Sequence, residues 1–593
     1  MLKKFILNAL SSFVGAWVAI VLCIIGAIIL FVGILGSVVT SESQKLKKHS
    51  VMKIFLGGSI IEAETANQFD YTMLITGKLE KPQTLKNLLE AIDNAKTNSN
   101  IDAIMLECGG VSASPATLDA LRKGIKDFKQ SGKRVFAYGD NLSMGDYYVA
   151  TMADVVYLNP AGSLDLQGIS GTSLYFKELL DKIGIDVQTV RVGQYKSAIE
   201  PFTTNEMSEP ARAQLEALYS EMWGYILQGI AENRKVRAST VDSLVNKFLF
   251  LDDAEVAKTY KLVDDCLYYR EVENLISVYV GKEVKDLNFV SPDLLVSNQP
   301  ENPKEDDQIA VLYADGEIGE FEGAGINCHK LVPLIVRLAE DDNIKGMVLR
   351  VNSPGGSVFG SEQIGEALDY FKSQGKPLAV SMGDYAASGG YWISAGANRI
   401  FADPLTITGS IGIFGMVPNV NKLVSDFGIH PQTVATNPGV QFPSIFYPMS
   451  QEQYDELQRN VERGYEKFVN RVAQGRGKSV EYIKNIGEGR VWSAIKAKEI
   501  GLVDELGGLQ NAISWVSAKA NIKNPNIVSY PIPQYNFWNI VSSSSISDNA
   551  EVKCIIDRLS TRHIDEQMID FVGWFLMLNH IQARSPYYNI SLN

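Results

Sequence analysis

The chain has 593 residues, and its content of 46% apolar and 21% charged residues is typical of a globular protein with several domains. Its net charge of −13 comes without any basic domain, which argues against a general nucleic-acid binder. The five cysteines have neither metal-ligand nor disulfide-framework spacing, so we expect no metal site and no cofactor bound through them. These cysteines are Cys23, Cys108, Cys266, Cys328 and Cys554.

The N-terminal segment 13–39 carries no charged residue and is long enough to cross a bilayer as a helix. It exceeds the apolar core of a signal peptide, and no small-residue cleavage site follows it, so we predict an uncleaved membrane anchor in contact with lipid. Lysines flank it on both sides, namely Lys3 and Lys4 before it and Lys45, Lys47 and Lys48 after it. The distribution of positive charge therefore leaves the orientation open.

The rest of the chain contains an internal duplication. Residues 139–196 align with residues 383–440 without a gap, at a constant shift of 383 − 139 = 244 positions. The matched pairs include Tyr147 with Tyr391, Pro160 with Pro404, Gly168 with Gly412, and Gly171 with Gly415. A duplication of this length indicates one domain fold used twice. We predict an N-terminal tip, anchor and juxtamembrane segment over 1–50, a first repeat over 51–285, a linker over 286–308, a second repeat over 309–530 and a C-terminal extension over 531–593.

Within each repeat, short β-branched runs alternate with helical segments, which predicts an α/β fold with largely parallel strands. In the second repeat the predicted strands are Ile309–Tyr313, Gly346–Val351 and Pro377–Ser381, and the predicted helices are Leu331–Glu340 and Ser361–Ser373. Each repeat then has a long helix suited to packing against the other repeat or another subunit, at Glu209–Lys235 and at Gln451–Arg476. In the extension, Met568–Leu578 is apolar but too short to span a membrane, so a buried helix and a membrane-surface helix both remain open.

The stretch Gly383–Trp392 (GDYAASGGYW) holds a serine, Ser388, among small residues, between a predicted strand and a predicted helix. Such a turn can expose a nucleophile, and the following N–H, that of Gly389, would point toward the reacting atoms. A turn that is small only for close packing is the alternative interpretation.

The two repeats differ at the residues that could carry chemistry. Ser388 aligns with Met144 in the first repeat, whereas Lys196 of the first repeat aligns with Val440 in the second. One active site assembled across the duplication would produce this pattern, although drift between diverged repeats would produce it equally well. A lysine can activate a serine if the amine is neutral, and burial among apolar neighbours lowers the pKa of an amine. A solvated surface lysine is the alternative for Lys196.

Three further features bear on catalysis. The five histidines (His49, His329, His430, His563 and His580) lie outside the repeat-matched turns, so a Ser-His-Asp triad has little support. The turn in Arg350–Val358 (RVNSPGGSV) offers backbone N–H groups suited to an oxyanion, although it is also an ordinary strand-to-helix turn. The pair Ser373 and Lys376 fits a Ser-x-x-Lys pattern, but its polar context predicts a solvated turn.

Five motifs, which occur along the chain in the right order, carry a family resemblance. They are Asn352–Ser357 (NSPGGS), Ala386–Trp392 (AASGGYW), Thr408–Gly412 (TGSIG), Gly193–Phe202 (GQYKSAIEPF), and Gly489–Trp492 (GRVW) with Gly501–Asp504 (GLVD). Together they resemble the signal peptide peptidase A family in its long, duplicated form, from the anchor to about residue 530. The resemblance implies two tandem βα-spiral domains of the Clp protease and crotonase kind after an N-terminal transmembrane helix.

For function, the resemblance implies a single-pass serine protease of the bacterial inner membrane. Its catalytic domains would lie on the outer side, where they would cut signal-peptide remnants and other apolar peptides, and four copies would form a ring-like tetramer. No metal, cofactor or nucleic acid is implied.

Carried onto this sequence, the resemblance implies a role for each site residue. Ser388 would be the nucleophile, Lys196 the general base, and Ser410 the group that orients the lysine amine. Gly389 would supply one N–H of the oxyanion hole, and either Gly355 or Gly356 would supply the other.

Two other functions remain open. The crotonase-like fold would also suit an anchored acyl-CoA enzyme, but that chemistry needs a CoA site and a catalytic glutamate, and Pro354–Ser357 shows neither. A catalytically inactive membrane scaffold would keep the fold without reactivity at Ser388.

Overall fold

The computed structural model describes residues 46–63, 83–298, 307–532 except 322, 324, 438, 440 and 441, and the backbone of 582–584. The predicted anchor over 13–39, the apolar run Met568–Leu578 and Val440 therefore lie outside the described residues. Within the described part, no helix is both long enough and apolar enough to cross a membrane.

The first half of the chain is built around a seven-stranded sheet in which every pairing is parallel. Its strand order is β2-β1-β3-β4-β5-β7, and β8 also pairs with β1. The elements of this half are β1 (Ser50–Ile61), β2 (Gln83–Thr84), α1 (Leu85–Thr97), β3 (Ile101–Ser112), α2 (Pro115–Lys129), β4 (Arg134–Gly139), α3 (Met144–Ala150), β5 (Val155–Leu158), α4 (Lys177–Lys182), β6 (Asp186–Val192), α5 (Glu200–Thr203), α6 (Glu209–Arg234), α7 (Ala238–Val245), α8 (Ala254–Thr259), β7 (Asp265–Cys266), α9 (Tyr269–Val280), β8 (Asn288–Val290) and α10 (Pro292–Ser297).

The second half repeats this plan in an eight-stranded sheet of order β18-β16-β14-β12-β9-β20, in which β15 also pairs with β14 and β19 pairs with β15. Its elements are β9 (Gln308–Asp315), β10 (Ile318–Gly319), β11 (Ile326–Asn327), α11 (Cys328–Glu340), β12 (Ile344–Ser353), β13 (Gly355–Ser357), α12 (Val358–Ser373), β14 (Leu378–Ala387), α13 (Gly389–Ser394), β15 (Arg399–Ala402), β16 (Ile407–Gly409), β17 (Ile413–Asn419), α14 (Asn421–Asp426), α15 (Gln451–Arg476), α16 (Val480–Ile486), β18 (Val491–Ser493), α17 (Ala494–Glu499), β19 (Glu505–Leu506), α18 (Leu509–Ala520) and β20 (Asn526–Tyr530). The prediction of an α/β fold with largely parallel strands is confirmed.

A third sheet joins the two halves and positions the site. In it β6 of the first half runs antiparallel to β17 of the second half, with Val192 opposite Ile413 and Asp186 opposite Asn419. The order of this six-stranded sheet is β11-β10-β13-β21-β17-β6, where β21 is Gln582–Arg584 of the C-terminal extension. Because β6 leads directly to Lys196, this pairing delivers the lysine to the second half.

The two long helices begin and end by local rules that the sequence contains. Ser208 accepts a hydrogen bond from the N–H of Ala211 at the start of α6, and Ser450 accepts one from the N–H of Gln453 at the start of α15. Each helix ends at a residue with left-handed backbone, Lys235 or Gly477. Such caps satisfy backbone groups that the helix itself leaves unpaired, which explains why the predicted bounds agree with the structure to within one residue.

Charged groups are buried where the halves meet. The Arg350 guanidinium on β12 donates to both carboxylate oxygens of Glu62, over 3.0 and 2.6 Å, and Glu62 follows β1 of the first half. The Asp384 carboxylate on β14 accepts hydrogen bonds from the N–H and hydroxyl of Thr117, which belongs to α2 of the first half. Burial, reinforced by Glu62, raises the pKa of Asp384 to about 6. The strand that carries Ser388 is thus tied to the first half by buried polar contacts.

The Arg350–Glu62 pair makes the interface sensitive to single substitutions. Arg350→Met should lower the free energy of unfolding by about 3–5 kcal/mol, because it leaves the Glu62 carboxylate buried without a partner. Adding Glu62→Leu to Arg350→Met should recover most of that loss. Urea unfolding of the four proteins of this double-mutant cycle measures the coupling, and strictly additive effects would contradict the predicted interaction.

Candidate active site

Ser388 lies at the junction of β14 and α13, in a backbone conformation that side chains rarely adopt. Its φ is 56° and its ψ is −117°. The peptide is held there because the Ser388 N–H donates to the Gly409 carbonyl over 2.8 Å, and the Ser388 carbonyl accepts from the Trp392 N–H. Strained residues of this kind concentrate at functional sites, and a serine on a sharp strand-to-helix turn is a recurrent form of nucleophile.

Lys196 reaches this serine from the other half of the chain. Its Nζ lies 2.7 Å from Ser388 Oγ, 3.0 Å from Ser410 Oγ and 3.3 Å from the Ser410 carbonyl oxygen. All three side chains are 0% exposed. Burial lowers the pKa of the Lys196 amine well below its ordinary value, because a charged ammonium would lose its hydration there. The surface-lysine alternative is therefore wrong, and the amine is poised to accept a proton.

Two glycines let the lysine loop approach this closely. The Tyr195 N–H donates to the Glu488 carbonyl over 3.0 Å, which draws the loop before Lys196 against residues 488–490. A Cβ at Gly489 would lie 2.7 Å from the Cβ of Lys196, and a Cβ at Gly193 would lie 2.4 Å from the carbonyl carbon of Glu488. Both glycines also have positive φ, of 79° and 106°. Any side chain at either position would push the lysine away from Ser388.

The predicted oxyanion glycines occupy the turn beside Ser388. Gly355 and Gly356 form part of β13 with φ of 110° and 145°, and a Cβ at Gly356 would fall 2.1 Å from the Ile318 carbonyl oxygen. The Gly355 N–H donates to Ser353 Oγ over 3.2 Å. Gly389 is the first residue of α13, where a helix leaves its N–H groups without intrahelical partners. The structure therefore places Ser388, Lys196 and Ser410 in direct contact and the three glycines on the adjoining turns.

The corresponding turn of the first half is filled by a side chain. There the Asp146 carboxylate accepts hydrogen bonds from the N–H groups of Gly110 and Val111, over 2.9 and 3.1 Å, and from the Ser143 hydroxyl over 2.8 Å. Met144, which aligns with Ser388, is buried next to it. The two backbone N–H groups that could have bound a substrate oxygen in the first half thus bind the Asp146 carboxylate. The sequence indicated this difference between the repeats, because Asp146 aligns with Gly390, which has no side chain.

The histidines and the Ser373–Lys376 pair, which the sequence offered as alternatives, make other contacts in the described part of the chain. His49 Nδ1 pairs with Asp102 over 2.8 Å, and His329 lies in the first turn of α11. Lys376 Nζ donates to the carbonyls of Ala339 and Asp341, each over 2.7 Å, and so caps the end of α11. The prediction that the Ser373–Lys376 segment is a polar helix-to-strand turn is confirmed.

Two features of the site were not anticipated from the sequence. One is the contact between Asp384 and Thr117 that ties the Ser388 strand to the first half. The other is β21, whose residues pair with the Gly355–Gly356 turn. The sequence held a hint of the contact made by Asp384, because the aligned segments of both repeats begin with Gly-Asp. It held no periodic pattern that marked Gln582–Arg584 as a strand.

Comparison with known proteins gives consistent matches. The sequence model of peptidase family S49 matches residues 127–281 and 370–523, and the Clp protease model matches residues 323–405. Protease 4 of Haemophilus influenzae is 36% identical over 453 residues, covering 74% of this chain and 73% of that protein. The chloroplastic serine protease SPPA of Arabidopsis thaliana is 26% identical over 535 residues, covering 87% and 77%. The putative signal peptide peptidase SppA of Enterococcus faecium is 31% identical over 220 residues, covering 37% and 64%.

The buried amine should cost stability in a way that depends on pH. In the unfolded chain Lys196 binds a proton up to about pH 10.4, whereas burial in the folded site lowers its pKa, so protonation of this amine opposes folding at pH values below about 10.4. Lys196→Met should therefore raise Tm at pH 7, and this gain should shrink as the pH rises toward 10. Thermal unfolding at several pH values measures the trend.

Lys182→Met is the matched control, because Lys182 is a surface lysine paired with the exposed Glu178. Its effect on Tm should be small at every pH. A Tm difference between Lys196→Met and the unsubstituted chain that stays constant from pH 7 to pH 10 would contradict the buried neutral amine.

Proposed function

The chain belongs to peptidase family S49 and is a serine peptidase, and we propose that Ser388 is its nucleophile and Lys196 its general base. One observation carries this assignment: Lys196 Nζ lies 2.7 Å from Ser388 Oγ in a site closed to solvent. A serine hydroxyl is a weak nucleophile until a neighbouring base removes its proton. Lys196 is a base at hydrogen-bond distance, with a pKa lowered by burial.

The reaction follows from these positions. Lys196 Nζ accepts the Ser388 hydroxyl proton while Oγ attacks the carbonyl carbon of the scissile peptide bond. The oxygen that gains negative charge receives the N–H of Gly389 and an N–H of the Gly355–Gly356 turn, and each such donor contributes on the order of 10²–10³ in rate. The lysine ammonium then protonates the departing nitrogen, the C–N bond breaks, and an ester remains on Ser388.

Hydrolysis of that ester uses the same residues in reverse roles. Lys196 takes a proton from a water molecule whose oxygen attacks the ester carbon, and it returns this proton to Ser388 Oγ as the acid product leaves. Ser410 orients the Lys196 amine in both steps. Its hydroxyl and carbonyl oxygens lie 3.0 and 3.3 Å from Nζ. Two of the three bonding directions of the amine therefore point to Ser410, and the third points to Ser388.

The proposed substrates are signal-peptide remnants and similar apolar peptides in extended form. Support comes from the motifs of the sequence and from the name of the Enterococcus faecium relative. Segment 13–39, which carries no charge, supports a single-pass anchor in the bacterial inner membrane, with the two halves on the outer side. The resemblance of the motifs also supports a homotetramer. Family membership decides against an acyl-CoA enzyme, and reactivity of Ser388 separates a peptidase from an inactive scaffold.

Removal of either proposed catalytic group should abolish turnover. Ser388→Ala and Lys196→Ala should each lower kcat on a chromogenic peptide ester by at least about 10⁴-fold, since nucleophile and base act as one unit. A fluorophosphonate probe should label the unsubstituted protein and leave Ser388→Ala unlabelled.

Ser373→Ala provides the matched serine control, because Ser373 is the exposed last residue of α12 and its hydroxyl donates to the Tyr370 carbonyl. Its turnover should equal that of the unsubstituted protein. Near-normal hydrolysis by Ser388→Ala or by Lys196→Ala would refute the assignment.

The pH dependence of turnover should report the lysine. Only the neutral amine accepts a proton, so kcat/KM should fall as the pH drops through the pKa of Lys196 in the free enzyme. Because burial lowers that pKa well below its ordinary value, the fall should occur far below pH 10.4. A pH–rate profile from pH 5 to pH 11 measures it, and a rise in rate centred near pH 10.4 would contradict a buried base.

A further inference from the structure

The short segment 488–490, just before β18, binds the backbone of the lysine loop and of Ser410 together. The Glu488 carbonyl accepts the Tyr195 N–H over 3.0 Å, one residue before the lysine. Two positions further along, the Arg490 carbonyl accepts the Ser410 N–H over 2.7 Å. The spacing between the proposed base and the serine that orients it is therefore set by this one segment.

The same segment continues into the strand that supports the nucleophile. Val491 begins β18 and lies opposite Gly409 of β16, whose carbonyl accepts the Ser388 N–H over 2.8 Å. On its other side, the Val491 N–H donates over 3.0 Å to the side-chain oxygen of Gln214, which is buried on α6 of the first half. These contacts fix the segment from both halves, and none of them uses the side chain of Arg490.

The Arg490 side chain adds a contact of its own to the lysine loop. Its guanidinium carbon lies 3.8 Å from the centroid of the Tyr195 ring and 5.1 Å from the centroid of the Trp492 ring. A planar guanidinium over an aromatic face at this distance forms a stabilising stack. Arg490 thus holds the side chain of the residue that precedes Lys196, while its carbonyl binds Ser410.

Tyr195 in turn determines where the Lys196 side chain points. The Tyr195 carbonyl accepts the Ser197 N–H over 2.9 Å, and Lys196 between them has φ of −78° and ψ of 74°. These angles are those of an inverse γ-turn, which closes over three residues. In so tight a turn, a displacement of Tyr195 displaces Lys196 as well.

We propose that Arg490 is a positioning residue of the active site, whose guanidinium holds Tyr195 so that the Lys196 amine stays against Ser388 and Ser410. The proposal rests on the peptidase function proposed above. Arg490 acts through the Tyr195 turn and takes no part in proton transfer. Because the backbone contacts of residues 488–491 do not need its side chain, we expect the chain to fold without it.

Removal of the guanidinium tests the proposal in the full-length chain. Arg490→Ala should lower kcat on the chromogenic peptide ester by about 10- to 100-fold, because a misplacement of about 1 Å can cost about 10²-fold in rate. KM should stay unchanged, since both steps that use Lys196 follow substrate binding. The assay is run well below the Tm of each variant, so that a loss of stability alone would leave kcat unaltered.

Substitution of the partner ring shows whether the stack itself is responsible. Tyr195→Leu keeps the arginine charge but removes the aromatic face, and it should lower kcat as much as Arg490→Ala does. The double variant should be no slower than either single variant, because both remove one contact. Tyr195→Phe, which restores an aromatic face, should recover most of the kcat lost in Tyr195→Leu. Additive losses in the double variant, or no recovery with phenylalanine, would overturn the proposal.

Arg134→Ala is the matched control, because the exposed Arg134 lies over the rings of Phe136 and Tyr279 in the first-half sheet, away from the site. Its kcat and KM should equal those of the unsubstituted chain. Unchanged kcat in Arg490→Ala would also overturn the positioning role, provided that Ser388→Ala is inactive. Hydrolysis that persists in Ser388→Ala would instead refute the peptidase assignment, so the two failures are distinguishable.

Discussion

The site depends on keeping an amine without water beside a serine. Lys196 is enclosed so completely that its charged form is disfavoured, and its Nζ contacts Ser388 and Ser410. Small clearances enforce that enclosure, because a single Cβ at Gly489 would collide with the lysine itself. Holding an amine in this state opposes folding at neutral pH, which is why the surrounding structure must be over-determined. The third sheet, which contains strands of both halves, and the buried contacts between the halves supply that constraint.

Duplication explains how such a site could be assembled and why it is asymmetric. Both halves keep the strand, turn and helix that could present a nucleophile and backbone donors. In the first half the donors bind the Asp146 carboxylate, and Met144 fills the position of the serine. The first half instead extends β6 across to β17 and supplies Lys196, the proposed base. Each half has thus lost the part that the other provides, and neither half alone brings serine and lysine together.

The third sheet also includes a short strand of the C-terminal extension. In it β21 pairs with β13 on one side and with β17 on the other. Buried charges such as Arg350 and Glu62 tie β12 of the second half to the first half.

The sequence by itself determined the duplication, the α/β alternation and the helix bounds set by Ser208 and Ser450, and it singled out Ser388 and Lys196 as candidates. These follow from local rules of capping and periodicity and from comparison of aligned repeats within one chain. Only the tertiary structure decided that Lys196 is buried, that Asp146 fills the first-half turn, that Thr117 meets Asp384, and that Gln582–Arg584 pairs with Gly356. Burial and pairing between strands hundreds of positions apart are properties of the assembled core, because loop closure and register select among many pairings that local sequence permits equally.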